Sequence, residues 1–224
     1  MNDAIIALPT PSHAGRAETP MAFVLAITAA YAQRGLDPLP ALQSAQIAPE
    51  LLHLPDARIT ALQMEWLSGT AMRELDDEAL GWFSRRLPWG SYGMLVRASL
   101  TAPTLGVALA RWCRHHGLLT DDIHLEVKQS QGVASLQLAE RRDLGTLQEF
   151  AVVSVLRNAL GVACWLTDSR IPLLQTTLRL APPPHAGSYR VLFDGPTQFN
   201  APGHSLQFDA GYLSLPVRRD EAAL

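Results

Sequence analysis

Apolar positions along the first part of the chain follow the spacing of helices. Residues 21–34 form a mainly apolar segment that stops at Gly35, which predicts a helix with a glycine at its C-terminal end. Thr60 can cap a second helix that reaches about Leu75, with apolar and charged side chains on different faces. The pattern therefore predicts that residues 21–80 are mainly helical.

The spacing of apolar residues changes after residue 80. Residues 88–93 combine proline, serine and two glycines, and this composition predicts a loop or a tight turn. A helix is expected to begin near residues 101–102, because apolar side chains then recur at helical spacing as far as His116. Gly117 is expected to break this helix.

Alternation typical of strands follows. Ile123, Leu125 and Val127 alternate with polar residues, and residues 133–138 continue the pattern after a turn, which predicts a hairpin. Residues 144–166 are apolar on nearly every side and predict a central helix on the sheet. Further predicted elements are a strand at 176–180, a short helix at 186–193, and closing strands at 197–199 and 205–208. The predicted fold class is α+β: a helical N-terminal region followed by helices packed on a mainly antiparallel sheet.

Composition and charge narrow the range of functions. The chain has 224 residues, of which 48% are hydrophobic and 17% charged, so it can build a core without disulfides or metal ions. Its formal net charge of -3 lacks the basic excess that phosphate contacts need, and we expect no direct nucleic-acid binding by this chain. Cys113 and Cys164 lie in apolar stretches and are expected to be buried free thiols, although a bridge between them stays open.

Two apolar segments are candidates for a targeting sequence or a membrane span. Residues 21–32 end in a pattern that resembles a signal-peptide cleavage site, but about twenty residues with acidic side chains precede them, unlike a basic n-region. Residues 150–166 are interrupted by Ser154, Arg157 and Asn158, so this run does not predict a membrane span. We therefore expect a cytoplasmic protein with no membrane partner. Residues 1–20 contain three prolines and a glycine, and they predict a flexible N-terminal arm.

Five candidate ligand-binding residues lie between residues 89 and 115. Arg111 and His115 are four apart on one predicted helix face, where they can form an anion-binding pocket edge or a plain solvated face. Trp89, Tyr92 and Trp112 can be walls of a mostly apolar pocket, or simply part of the core.

The sequence gives no support for metal binding or catalysis. His185 and His204 lack the spacing of metal ligands, so no metal or other cofactor is expected. His185 is instead expected to pack or hydrogen-bond beside Tyr189, and both are included as candidate ligand-binding residues. Asp121 and Asp122 are interpreted as a turn or strand-entry feature. The nucleophile-elbow, P-loop, zinc-protease and dinucleotide-binding motifs do not occur, and no catalytic residue is assigned.

The order of sequence features along the chain resembles a known family. The features are Gly35-Leu36-Asp37-Pro38, Gln46-Ile47-Ala48-Pro49-Glu50-Leu51-Leu52, Gly90-Ser91-Tyr92-Gly93, Leu100-Thr101-Ala102-Pro103-Thr104-Leu105, His185, Tyr189, Phe193, Phe199 and Leu206-Gln207-Phe208. No single feature is specific. The ordered set over residues 21–216 resembles the arabinose-binding-like N-terminal domain of AraC-type transcription regulators.

The resemblance implies an effector-binding and dimerisation domain at residues 21–216, with a helical part at about 21–80 and an α/β part at about 81–216. It implies a small-molecule effector of unknown class, a homodimer, and contact with DNA only through a C-terminal helix-turn-helix domain absent from this sequence. Residues 217–224 are expected to begin the linker to that domain. The helices at 21–34 and 104–116 are the candidates for dimerisation.

Two other functions stay open. A pure dimerisation or protein-interaction module would need no small ligand, and a domain without a cavity would favour it. A small enzyme is the least favoured alternative, since it would need a His or Cys beside a carboxylate in a deep pocket.

Overall fold

The computed structural model describes residues 16–224, so most of the predicted arm at residues 1–20 lies outside the described residues. The last residues of that segment pair with a second short strand. β1 (Thr19–Pro20) runs antiparallel to β2 (Arg58–Ile59), and the Glu18 N–H donates to the Ile59 carbonyl at 3.1 Å. Residues 18–20 are thereby fixed against the domain.

The first part of the chain is helical, as predicted. It contains α1 (Met21–Ala32), α2 (Leu39–Ser44), a 3-10 helix (Pro49–His53) and α3 (Ala61–Glu74). The predicted cap of α3 is confirmed. Thr60 Oγ1 accepts from the Gln63 N–H at 3.2 Å, and Gln63 Oε1 accepts from the Thr60 N–H at 3.0 Å, which is a capping box.

Two helices open the second part of the chain, and both correct the sequence prediction. α4 (Ser91–Leu100) begins inside the predicted loop at residues 88–93, because the Glu78 side chain accepts the N–H groups of Gly90 and Tyr92 at its first turn. α5 (Leu105–Leu119) continues through Gly117. That glycine faces open space and has an ordinary helical backbone, so nothing forces the helix to end there.

The sheet has five strands in the order β3-β4-β7-β5-β6: β3 (Ile123–Ser130), β4 (Val133–Glu140), β5 (Leu173–Thr177), β6 (Thr197–Gln198) and β7 (His204–Asp209). Only β5 and β6 are parallel, so the mainly antiparallel prediction is confirmed. The predicted hairpin turns at Gln131 and Gly132, both with positive φ. β5 starts and ends three residues before the predicted strand at 176–180, and a register irregularity between Leu173 and Gln175 disrupts the alternation at its start.

The long apolar helix α6 (Gln148–Thr167) packs against α5 and β7, and α7 (Tyr189–Leu192) is a single short turn. By length and composition alone, Gly145–Thr167 could cross a membrane, with a mean hydropathy of 1.6. Over half of its most apolar window, 56%, is buried inside this fold. Its apolar character is therefore explained by its place in the core.

The last residues of the chain are tied to the C-terminal end of α6. The Arg218 N–H donates to the Leu166 carbonyl at 2.8 Å, and Arg219 Nε donates to the Trp165 carbonyl at 3.0 Å. Arg219 also pairs with Asp168. A cationic side chain at the carboxyl end of a helix interacts favourably with its dipole, so Arg219 holds this segment of the chain against α6.

Cys113 and Cys164 are free thiols, as expected, but only Cys113 is buried and Cys164 is partly exposed. Burial raises the pKa of the Cys113 thiol to about 12, which keeps it in its unreactive protonated form at neutral pH.

Candidate ligand cavity

A cavity of about 500 Å³ lies between α3 and α6. α3 contributes Met64, Ser68 and Met72, which are four residues apart and so share one helix face. α6 contributes Phe150 and Ser154 from the opposite wall. The cavity thus lies between the N-terminal helices and the α/β part of the chain, and its volume is in the range of small-molecule sites.

Aromatic rings form much of the lining. Phe23 of α1 stacks on Phe150 with ring centroids 5.3 Å apart, and Trp82 meets Phe150 edge-on at 5.2 Å. Tyr92 of α4 completes this set. Trp82 is only 3% exposed, and its Nε1–H has no hydrogen-bond acceptor among residues 16–224. That nitrogen is itself buried from a water-sized probe, so Trp82 lines the cavity with the apolar part of its ring.

The Glu78 carboxylate is the buried charge of the cavity. The residue is 6% exposed and lines the cavity, and its two oxygens accept from the N–H groups of Gly90 at 2.8 Å and Tyr92 at 2.7 Å. No Lys, Arg or His within the described part of the chain forms an ion pair with it. By contrast, its neighbour Asp77 is paired with Arg34 at 2.6 Å. Glu78 therefore brings a negative charge whose compensation comes only from the N-terminal end of α4.

The cavity lining also includes the charged residues Arg16, Glu65 and Arg157. Arg16 pairs with Glu18 at 3.1 Å, and Glu65 of α3 is exposed. Arg157 of α6 is also exposed, and its guanidinium donates to the Leu192 carbonyl. The guanidinium has five N–H donors in all, so it keeps further donors for an acceptor.

Tyr92 is the one residue of the predicted binding set that lines this cavity. Burial, with the negative charges of Glu78 and Asp77, raises its pKa, so the hydroxyl stays protonated. That hydroxyl lies 3.3 Å from Nε2 of His116, whose pKa burial lowers to about 4. Trp112, also predicted, stacks behind Tyr92 with ring centroids 5.8 Å apart and supports the ring from the core.

His185 and Tyr189 lie close to the cavity without lining it. His185 Nε2 and the Tyr189 hydroxyl both hydrogen-bond to Glu149 Oε1 at 2.6 Å, and the His185 ring meets Phe23 edge-on at 6.0 Å. Tyr189 lines a neighbouring, more open hollow of about 540 Å³, and the two spaces share Arg16 among their lining residues. The expected contact between His185 and Tyr189 is present, since their rings stack at 6.2 Å.

The remaining three predicted residues lie elsewhere. Trp89 is half exposed under the Arg73 guanidinium, 5.4 Å from its ring. Arg111 donates to Thr101 Oγ1 at 3.0 Å, and His115 follows it on α5. None of the three lines the cavity, so the structure does not bring the predicted set into one site.

Several lining residues were not predicted from the sequence. Arg157 and Asn158 lie three and four residues after Ser154 in a mainly apolar helix, which places the three side chains on one polar stripe facing the cavity. The spacing of these three polar residues is visible in the sequence and could have predicted a polar helix face. Glu78 and Trp82 gave no such signal, because their role depends on α4 and α6 packing around them.

The two histidines considered as metal ligands hydrogen-bond to two different carboxylates. His185 Nε2 bonds to Glu149 Oε1, and His204 Nε2 bonds to Glu140 Oε2 at 3.2 Å. Within residues 16–224, no three metal-ligating side chains cluster.

Comparison with known proteins matches residues 35–217 to the family model described as the arabinose-binding domain of AraC transcription regulator, N-term. The chain is 27% identical over 199 residues to the ornithine utilization regulator of Pseudomonas aeruginosa. That alignment covers 88% of this chain and 59% of the relative, so the chain spans less than two thirds of its length. The crystal structure of the transcriptional regulator CdpR from the same organism aligns with 83% of this chain and 58% of that chain, at 19% identity and a TM-score of 0.46.

Proposed function

Because this chain belongs to the family of arabinose-binding N-terminal domains of AraC transcription regulators, we propose that it binds a small effector in the cavity between α3 and α6. The family is one of transcription regulators and not of enzymes. Effector binding would then act on DNA through a helix-turn-helix domain outside residues 1–224, and the protein would work inside the cell.

The cavity itself carries this proposal. It combines an aromatic lining with a few polar groups, which is typical of sites that bind small organic molecules. It also lies between the N-terminal helices and the α/β part, so a ligand can contact both. A ligand that binds more tightly to one arrangement of these two parts shifts the population toward that arrangement, and this is what a sensor needs.

The first experiment is a thermal-shift screen at fixed protein concentration, with amino acids, sugars, aromatic acids and fatty acids as probes. The name of the ornithine utilization regulator places ornithine among the first compounds. A ligand at about a hundred times its dissociation constant should add roughly 2.7 kcal/mol of stability. A reproducible, saturable shift for one chemical class supports the proposal.

A blocking variant tests whether this cavity is the site. Ser154→Trp places a large ring in the cavity from α6, and it should abolish the ligand-induced shift while the domain still unfolds cooperatively. Gly161→Trp is the matched control, because Gly161 is exposed on the same helix with open space around it. A shift that survives in Ser154→Trp would place the effector elsewhere.

Dimerisation is the second proposed function, and it is supported by an exposed face of α5. Val107, Arg111, Arg114 and Leu118 recur at helical spacing, and Leu118 is 72% exposed. The other candidate helix, α1, has most of its apolar side chains buried within the chain. We therefore propose that two copies meet through α5.

Analytical ultracentrifugation tests this interface. Leu118→Glu should shift the equilibrium toward monomer, whereas Leu174→Glu, at a similarly exposed leucine on β5, should not. Equal behaviour of the two variants would reject the α5 interface. If the melting temperature depends on protein concentration and no compound raises it, a pure dimerisation module is favoured over an effector-binding domain.

A further inference from the structure

The buried carboxylate of Glu78 indicates which end of a ligand the cavity would hold. Buried charges in proteins are normally paired, because an uncompensated charge is costly to remove from water. Each oxygen of Glu78 accepts one backbone N–H, and a carboxylate oxygen can accept a second hydrogen bond. A positively charged donor from a ligand would complete the coordination of this group.

The surrounding rings favour the same kind of group. Phe23, Trp82, Tyr92 and Phe150 all line the cavity. An ammonium group is attracted to the face of an aromatic ring, more strongly where water is excluded. The aromatic wall and the carboxylate are therefore complementary to one positively charged group with an apolar stem.

One donor of the lining is available to an acceptor on the same ligand. The Arg157 guanidinium lines the cavity and has N–H groups beyond the one bonded to the Leu192 carbonyl. Arg pairs well with carboxylates. The lining thus has a buried anion and, on α6, an exposed cation.

We propose that the ligand is an amine of the amino-acid class, with its ammonium group on Glu78 and its carboxylate on Arg157. This proposal rests on the proposed effector function and gives it a chemical class. A carboxylic acid without an amine would meet the negative charge of Glu78, and a sugar would leave that charge unpaired.

Truncated ligands test the proposal by isothermal titration calorimetry of the whole chain. The probes are L-ornithine, ω-amino acids of several chain lengths, and the alkylamine and the carboxylic acid of matching length. The amino acids should bind best, the alkylamines more weakly, and the carboxylic acids about tenfold or more below the alkylamines, since hydrogen bonds to charged groups are strong.

A charge-removing variant assigns the effect to one residue. Glu78→Gln keeps the size and an acceptor for α4, and it should weaken binding of amino acids and alkylamines about tenfold while leaving the carboxylic acids unchanged. Glu65→Gln is the control, because Glu65 also lines the cavity but is exposed, and it should have little effect. A purely structural role of Glu78 would weaken all probes alike and would overturn the proposal.

A second variant keeps the test decisive if Glu78→Gln unfolds. Arg157→Gln removes the positive charge on α6, so it should weaken binding of the amino acids about tenfold and leave binding of the alkylamines unchanged. Binding of sugars or fatty acids that Ser154→Trp blocks, with no binding of amines, would reject the amine class and keep the effector function. No binding by any probe would reject both.

Discussion

The ring of Tyr92 stacks on the buried ring of Trp112, with centroids 5.8 Å apart and an angle of 19° between the planes. Tyr92 lines the cavity and Trp112 is 1% exposed, so a core residue fixes the position of a cavity wall. This contact joins α4 to α5 directly behind the proposed site.

Trp112→Ala should therefore destabilise the domain by about 3–5 kcal/mol, as expected for a large buried side chain. Trp89→Ala, at a half-exposed tryptophan held by one cation–π contact with Arg73, should cost about 1 kcal/mol or less. Urea unfolding measures both. Similar losses in the two variants would contradict the assignment of Trp112 to the core.

Asp122 gives the domain an acid-sensitive contact. Burial acts to raise its pKa, but hydrogen bonds from Ser84 and Arg142 outweigh burial and lower the pKa overall. Because the folded pKa lies below the unfolded value, the stabilisation is present above about pH 4 and is lost as the pH falls through the folded pKa.

Asp122→Asn should lower the free energy of unfolding at pH 7 by about 1–3 kcal/mol, with a smaller difference in acid. Asp121→Asn, at the exposed neighbouring position, should change it little. Urea unfolding at several pH values makes the comparison. A difference that did not shrink below pH 4 would show that the charge of Asp122 is unimportant.

His116 should make stability depend on pH in a different window. Burial lowers its pKa from 6.5 to about 4, so the unfolded chain binds a proton that the native protein does not take up between these values. Stability should accordingly fall as the pH drops from about 6.5 to about 4, by on the order of 3 kcal/mol from this residue.

His116→Gln should flatten that slope, and His124→Gln, at an exposed position on β3, should leave it unchanged. Part of the slope should remain in His116→Gln, because burial also lowers the pKa of His204. Equal slopes in the wild type and His116→Gln would mean that His116 is not buried as a neutral group.

Gly117 and Gly132 should respond in opposite ways to alanine. Gly117 is helical and exposed, with no atom within 4 Å of an added methyl group, so Gly117→Ala should stabilise α5 by about 0.4–1 kcal/mol. Gly132 has φ +80 in the hairpin turn, where an alanine is strained, so Gly132→Ala should destabilise. Thermal unfolding distinguishes the two, and a destabilising Gly117→Ala would mean that α5 ends before residue 117.

Local patterns in the sequence predicted most of the regular elements. The apolar run before Gly35 gives α1, the cap at Thr60 gives α3, and the alternation from Ile123 gives the hairpin. These signals are short-range, because a helix face repeats within four residues and a strand face within two. The same kind of signal identified α6, whose interior position explains why it is apolar nearly all round.

The sequence predictions were wrong at the start of α4 and at the end of α5. The start of α4 depends on Glu78, fourteen residues before Tyr92, which supplies acceptors for the first N–H groups of the helix. Gly117 was expected to end α5, but packing of the helix outweighs the small propensity cost of one glycine. The contact between Glu78 and α4 leaves no periodic pattern in the sequence.

The sequence by itself determined the α+β class, most of the helices and strands, and the family resemblance, because these depend on local spacing and on the order of features along the chain. Only the tertiary structure decided which residues share a cavity. It brought Tyr92 next to Glu78 and Trp82 and opposite the polar stripe of α6, whereas Arg111 and His115 on α5 do not line the cavity. The physical reason is that a cavity forms where packed elements fail to fill the space between them, and that depends on how several distant segments meet.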